Sequence, residues 1–463
     1  MAVNVRLLAL SVVQEVLDHH EYLSKILPAV LDKYGYLSKQ DRAFLTRLGT
    51  GVVEKEQELV AILRMYSSVR IPKLDPAVRG SLLLGLYQIL YMDSVPVQAA
   101  VDESVKLVKK SGKSRLSGYT NGVLRSVLRD YQEGRGQIRG RITWTDEAGR
   151  PQHRDLIRDN EGWKSEGKEK QGDEILTLCL DTSMPVWIGL FFEKQYGLEK
   201  AREILEGLCL ERPLTAAVNT SRIQARALVE RLCEEGASAE VVEGREDAII
   251  LRSVDRITEL PSFTEGLFYM QDLSSMEPVR HAGIREGMRV ADLCASPGGK
   301  SLMAALACGA SGEVLSFDQN RGKADRIMEN ATRYGLSNLT ADVADATRPN
   351  PKLLQGVDVV ICDVPCSGMG VMGRKPEIRS RLLPEDLSQL AEIQRKILTQ
   401  AVGYVKEGGS LVYSTCTLNP MENEDNVRWF LQENKNYHLV TEQQIWPDKM
   451  HDGFYVAVMK REG

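Results

Sequence analysis

From about residue 270 onward the chain repeats one pattern: a short apolar run, a polar or glycine-bearing turn, then a helical stretch. The runs are "MRVADLCA" (288–295), "GEVLSFD" (312–318), "VDVVICD" (357–363) and "GSLVYST" (409–415). Strands that alternate with helices are joined by crossovers, which predicts an α/β doubly wound, Rossmann-like parallel sheet. Ligands of such a sheet sit in a crevice at the carboxyl ends of its strands. Residues that follow the four runs are therefore brought to one edge, wherever they lie in the sequence.

The first of these turns is "ADLCASPGGKS" (291–301). Gly298 and Gly299 let backbone N–H groups approach an anionic ligand at a helix N-terminus. The spacing is neither that of a dinucleotide fingerprint nor that of a P-loop. A nucleoside with a carboxylate in place of phosphates fits better, and S-adenosylmethionine is the candidate cofactor. Asp318 ends the second run, where a carboxylate accepts hydrogen bonds from both ribose hydroxyls, and Asp345 in "VADAT" stands near the adenine edge.

Two further turns carry thiols. Asp363 ends "VDVVICD" and Cys366 follows; Cys416 follows "GSLVYST". Cytosine C5 is a poor nucleophile towards a methyl sulfonium, but a thiolate added at C6 turns the ring into an enamine-like species that can attack. A carboxyl group such as Asp363 could supply a proton at N3, and a base must later remove the C5 proton. Two cysteines and an aspartate at one crevice match these demands; their chemistry alone does not say which cysteine attacks. Cys362, Cys179, Cys209, Cys233 and Cys308 read as small buried hydrophobes, as does the side chain of Cys294.

With 463 residues the chain is too long for one ordinary domain. Residues 1–133 read as an all-α bundle of five to seven helices, with Ser38 and Asp75 as N-caps and Pro76 in a first helical position. Residues 134–172 are polar and Gly-rich and read as a linker or long loop. Residues 173–265 read as a small α+β module of ferredoxin or RNA-recognition type, and 266–463 as the catalytic domain. Eight cysteines without C-x-x-C pairs and six unclustered histidines predict no metal site and no disulfides. No apolar stretch is long enough for a membrane helix, and the N-terminal apolar run reads as a bundle helix of a cytoplasmic protein.

The net charge of −5 argues weakly against a polyanion partner, but local charge matters more. Between Ser104 and Arg129 lie Lys106, Lys109, Lys110, Lys113, Arg115, Arg125 and Arg129, with no acidic residue. The stretch 372–381 carries Arg374, Lys375, Arg379 and Arg381 against Glu377. Both runs suit a phosphate backbone, and both also suit a solvated helix face.

"DLCASPGGK", "DVPCSGMGVMGRKPEIR" and "YSTCTLNPMENE" together resemble the cofactor, Pro-Cys and Thr-Cys motifs of the NOL1/NOP2/Sun RNA cytosine-5 methyltransferases. The likeness to the bacterial 16S ribosomal RNA branch extends over nearly the whole chain. It includes "DRAFLTRLGTGVV" and "VPVQAAVDESVKLVKK" of a NusB-like RNA-binding domain, "FYMQDLSSM" and "HDGFYVAVMKR". The resemblance implies that Cys416 is the nucleophile, that Cys366 assists product release and that Asp363 contacts the cytosine. It implies cofactor contacts from Cys294, Ala295, Ser296, Pro297, Gly298, Gly299, Lys300, Asp318, Asp345 and Asp363. Lys300 adds a positive charge beside the crevice. The implied substrate is a cytosine of 16S rRNA, free or partly assembled, and the implied enzyme a monomer. Alternatives are the same chemistry on tRNA or another rRNA site, or a non-catalytic RNA-binding assembly factor.

Overall fold

The structure, a computed structural model, describes residues 3–132, 138–146, 148–159, 162–165, 173–254, 256–354 and 356–463. It divides into two units: Met1–Cys209 with Arg374–Leu382, and Leu210–Gly373 with Leu383–Gly463.

The first unit opens with seven helices: α1 (Val5–Leu17), α2 (Leu23–Lys33), α3 (Lys39–Glu54), α4 (Glu56–Tyr66), α5 (Pro76–Tyr91), α6 (Val97–Lys110) and α7 (Ser117–Gln132). Ser38 caps α3, its hydroxyl accepting from the Asp41 N–H at 3.1 Å and donating to the Asp41 carboxylate at 2.8 Å. Asp75 caps α5 through the Ala77 N–H at 3.0 Å, with Pro76 supplying a preset φ at the first helical position. The apolar N-terminal run folds as α1, which buries Ala9, Val12, Val13 and Val16 in the bundle. No helix among the described residues is long and apolar enough to cross a membrane.

The expected linker 134–172 is instead largely sheet in its described part. Strands β1 (Ile138–Thr145), β2 (Pro151–Asp159) and β3 (Gly162–Ser165) pair antiparallel in that order. Its remaining residues, 134–137, 147, 160–161 and 166–172, lie outside the described ones. In β1, Ile138, Gly140 and Ile142 are buried while Arg139 and Thr143 are exposed. That period of two is short and carried partly by glycine, so the polar, Gly-rich composition hid it. Helices α8 (Asp173–Asp181), α9 (Val186–Tyr196) and α10 (Leu198–Cys209) also belong to the first unit. By their contacts these three helices go with the first unit, whereas 173–265 was expected to form one module.

The second unit begins with β4 (Leu214–Val218), α11 (Ala225–Glu234), β5 (Ser238–Val241), β6 (Ala248–Ser253), α12 (Pro261–Thr264) and β7 (Phe268–Met270). These make a ferredoxin-like four-stranded antiparallel sheet, ordered β5-β6-β4-β7. The module does not end at 265 as expected, because β7 is its fourth strand.

Then come α13 (Leu273–His281), β8 (Arg289–Asp292), α14 (Gly299–Cys308), β9 (Glu313–Asp318), α15 (Arg321–Tyr334), β10 (Leu339–Val343) and β11 (Val357–Asp363). The chain contributes α16 (Ile378–Arg381) to the first unit and returns as α17 (Pro384–Ala401), β12 (Val405–Thr415), α18 (Glu424–Glu433), β13 (Tyr437–Ile445) and β14 (Phe454–Arg461). The sheet order is β10-β9-β8-β11-β12-β14-β13. Its first five strands are parallel, as expected; β14 and β13 close one edge antiparallel. Both faces are covered: Val360 and Cys362 enter one core, Val359 and Ile361 the other. Strand order reverses between β8 and β11, which opens the crevice at their carboxyl ends.

Two charge and thiol expectations change. Arg379 is buried in the first unit, donating to the carbonyls of Glu54 at 3.1 Å and Thr182 at 3.0 Å. Arg381 lies 3.8 Å from the ring centroid of Tyr22. Two of the four cations read as phosphate-facing thus serve packing. In the 104–129 run, Lys106 pairs with Glu103 and Lys113 with Asp75 at 2.7 and 2.8 Å, whereas Lys109, Lys110, Arg115 and Arg129 are exposed. Cys209 and Cys233 are exposed rather than buried.

Replacing Arg379 by Met removes the donor for these buried carbonyls and is expected to cost about 1–3 kcal/mol. A urea melt should show a lower midpoint than the parent protein.

Candidate active site

Strands β11 and β12 are parallel neighbours, and their register sets Asp363 beside Ser414. Each strand then runs into its own cysteine turn, so two turns 50 residues apart in sequence emerge side by side. The Cys366 and Cys416 sulfurs lie 3.3 Å apart, both partly accessible and neither in a disulfide. Asp363 is held on both oxygens. Ser414 Oγ donates to Oδ1 at 2.8 Å, and Lys300 Nζ donates to Oδ2 at 2.8 Å. Lys300, in the first turn of α14, is only 7 % exposed and also donates to Ser275 Oγ at 2.8 Å. Its ammonium stands 5.3 Å from the centre of the Phe454 ring, so the cation is fixed on three sides.

A buried carboxylate ties the two cysteine turns together. Glu422 is fully buried, and its Oε2 accepts from the Ser367 N–H at 2.9 Å and from Gln394 Nε2 at 2.8 Å. Its Oε1 accepts from Asn419 Nδ2 at 3.0 Å. Gln394 Nε2 also donates to the Pro365 carbonyl at 2.9 Å. Asn423 accepts from Thr415 Oγ1 at 2.6 Å and donates to the Thr417 carbonyl at 3.1 Å. The Ser367 and Thr417 hydroxyls meet at 2.6 Å. The residues on either side of each cysteine are thereby bonded, which holds the sulfurs at their spacing. The Cys366 thiol is pushed well above its ordinary range, first by its hydrogen bond to Cys416, then by burial and by the charge of Glu422.

The turn 294–300 joins β8 to α14. Gly298 has φ +110°, a conformation that glycine adopts without strain. A Cβ on Gly299 would lie 2.9 Å from both Gln271 Oε1 and Tyr269 Cε1, so no larger residue fits there. The Ala295 N–H is fixed by the Phe317 carbonyl at 2.9 Å, and the Pro297 carbonyl by Asn330 Nδ2 at 3.2 Å. Cys294 is packed against the core below, and burial raises its thiol far above the ordinary range. Asp318, at the end of β9, takes the Asn320 N–H on Oδ1 at 3.1 Å, with Lys323 Nζ 3.6 Å from the same oxygen, while its Oδ2 carries no hydrogen bond among the described residues. An open carboxylate oxygen at this position fits a ligand with adjacent hydroxyls, such as the ribose of S-adenosylmethionine. Asp345 is more occupied. Its Oδ1 takes the Thr347 hydroxyl at 2.7 Å, the Thr347 N–H at 2.9 Å and Gln319 Nε2 at 3.1 Å, bonds that hold its carboxyl below the usual range.

Sequence reasoning missed Ser275, Asp292, Ser414, Gln394 and Glu422. Glu422 lies inside the quoted "NPMENE", but a glutamate in a turn reads as solvated; Gln394, within α17, carries no local signal at all. Asp292 is fully buried beneath the turn, with Oδ2 accepting from Ser301 Oγ at 2.7 Å. Burial pushes its carboxyl up to about 7, the Ser301 bond opposing and the charge of Asp363 adding to the rise.

Three family models match the chain. They are a 16S rRNA methyltransferase RsmB/F model over residues 283–460, a NusB model over 3–129 and an RsmF/B-like ferredoxin-like model over 184–258. A curated Bacillus subtilis protein, "Probable ribosomal RNA small subunit methyltransferase B", is 30% identical across 99% of both chains. The chain belongs to the 16S rRNA methyltransferase RsmB/F family. A crystal structure of PH0851 shares the fold over 100% of both chains, with a TM-score of 0.79 at 19% identity. A methyltransferase homologue from Pyrococcus horikoshii is 26% identical over 62% of this chain and 98% of its own, with a TM-score of 0.55. Membership makes the chain an S-adenosylmethionine-dependent methyltransferase, which the open Asp318 oxygen and the narrow glycine turn suit.

Two outcomes follow for this site. Glu422→Ala leaves the Ser367 N–H and the Gln394 amide buried without an acceptor, and should lower stability by about 2–4 kcal/mol in denaturant melts. Asp292 binds its proton more tightly folded than unfolded, so stability is greatest below the unfolded carboxylate range and falls as pH rises towards 7. Asp292→Asn should abolish that fall, read as a Tm that no longer drops between pH 5 and pH 8.

Proposed function

We propose that this chain methylates C5 of a cytosine in 16S rRNA through a transient bond between Cys416 Sγ and C6 of the base. The single observation that carries the reading is the thiol pair at 3.3 Å beside an aspartate anchored by Lys300 and Ser414. The ribosomal RNA substrate comes from the names of the relatives, and it puts the enzyme in the cytoplasm. S-adenosylmethionine, when bound, supplies an electrophilic methyl group; its contacts would come from Cys294, Ala295, Ser296, Pro297, Gly298, Gly299, Lys300, Asp318, Asp345 and Asp363.

The residues divide the work as follows. A stacked cytosine is beyond reach of either sulfur, so the base enters unpaired or flipped out. The likeness of "YSTCTLNPMENE" to the Thr-Cys motif assigns the attack on C6 to Cys416, as a thiolate, and leaves Cys366 for product release. Asp363 and Lys300 pass a proton to N3 as the C6–S bond forms, leaving C5 electron-rich. From the addition onward the Cys416 sulfur is a thioether with no proton of its own. Cys366, its thiol proton released to water, takes the C5 proton; the C5–H electrons form the C5=C6 bond, the C6–S electrons return to Cys416 as a thiolate, and N3 gives its proton back to Asp363.

Cys416→Ala should reduce methyl transfer to background and form no RNA–protein species that survives denaturant. Cys366→Ala should accumulate that species, visible as a slow band on denaturing gels, because the C5 proton stays in place. If Cys416→Ala accumulates the band and Cys366→Ala does not, the assignment of roles is reversed. Bisulfite mapping of total RNA from a deletion strain identifies the base, and loss of 5-methylcytosine from tRNA alone would contradict the 16S rRNA substrate.

A further inference from the structure

A cleft of about 720 Å³ lies wholly within the first unit, between the end of α4, the turn that follows it and the β1–β2 hairpin. That volume falls in the range of roughly 300–1,000 Å³ typical of ligand sites. Four basic side chains line it, Arg64, Arg70, Arg141 and His153, and its lining contains no acidic residue. In a chain of net charge −5 such a lining is not a consequence of composition. Arg141 is paired with Asp155, its neighbour across the hairpin. The guanidinium groups of Arg64 and Arg70 form no hydrogen bond or ion pair among the described residues, although Glu56 acts on Arg64 electrostatically. Arg64 is half-buried, so a cation without a direct carboxylate partner is held at the cleft wall.

Trp144 adds the second component. It sits half-buried on β1 opposite Gln152 of β2, and Ser67, Thr143 and Thr145 line the same space. A cleft lined by an indole-bearing residue together with arginines and hydroxyl-bearing residues matches what an unpaired nucleotide offers: a π-face, a charged phosphate and polar edges.

We infer that this cleft binds single-stranded RNA outside the methylated nucleotide, with a base stacked on Trp144 and phosphates met by Arg64 and Arg70. The inference rests on the RNA substrate proposed above, which it deepens by locating a second contact. The acidic alternative, a carboxylate-rich polypeptide, would use the arginines but gain little from the indole.

The test uses the full chain without methyl donor, so it does not depend on cysteine chemistry. Fluorescence anisotropy gives Kd for a labelled unstructured RNA 12-mer, and for a labelled 16S rRNA transcript, at several salt concentrations. R64E/R70E should weaken binding at least tenfold and flatten the log Kd against log salt slope by about 1–2. Trp144→Ala should weaken it by about 5- to 100-fold, and Trp144→Phe should restore most of the loss. Circular dichroism melts establish that each variant is folded, and the exposed single variant R70E serves if the double one is not. Wild-type Kd and salt slope in every folded variant would overturn the inference. So would poly-L-glutamate binding as tightly as RNA with the same sensitivity to Trp144→Ala. Failure of the wild-type protein to methylate RNA would sink the proposed reaction and leave these binding results readable.

Discussion

The site depends on the parallel pairing of β11 with β12. Because Asp363 and Ser414 are neighbours in that register, the turns that follow are side by side. A shift of one residue would send Asp363 and its neighbours to the opposite face and separate the sulfurs. The pairing is secured from both sides of the sheet, since alternate residues of β11 enter two separate cores. The placement of two thiols side by side thus follows from the packing of apolar strands, which have no chemistry of their own.

A second constraint is electrostatic. Glu422 is a fully buried carboxylate whose direct bonding partners are the Ser367 N–H and the Gln394 and Asn419 amides, all neutral. Such a group is costly unless its acceptors are satisfied, and here three donors satisfy them. Its charge also adds to the rise of the Cys366 thiol, after the bond to Cys416 and burial. Asp363, by contrast, faces the Lys300 ammonium at 2.8 Å. The crevice therefore holds one carboxylate bonded to a cation and one bonded only to neutral donors.

The fold was legible where periodicity was strong. The four strand-end motifs and the caps at Ser38 and Asp75 could be read directly, because apolar runs and cap residues are local signals. The hairpin at 138–159 was not, since Arg, Gly and Thr gave a sheet face the composition of a loop. That α8–α10 pack with the first unit was hidden for a different reason: which core receives a helix is not written in its own residues. In the site, Cys366, Cys416 and Asp363 stood out by position after strands. Glu422 and Gln394 did not, because their importance comes from bonds to partners 28 to 55 positions away in sequence. The same holds for Arg379, whose charge suggested phosphate although its guanidinium serves buried carbonyls.

The central claim is that the sulfur of Cys416, rather than that of its neighbour, bonds to the base. Incubating the protein and S-adenosylmethionine with a 16S rRNA transcript containing 5-fluorocytidine blocks loss of the C5 substituent and so arrests the bonded state. Digestion and mass spectrometry of that complex should give a nucleotide attached to the peptide bearing Cys416. A nucleotide on the Cys366 peptide, or no attached nucleotide while ordinary RNA is methylated, would contradict the account.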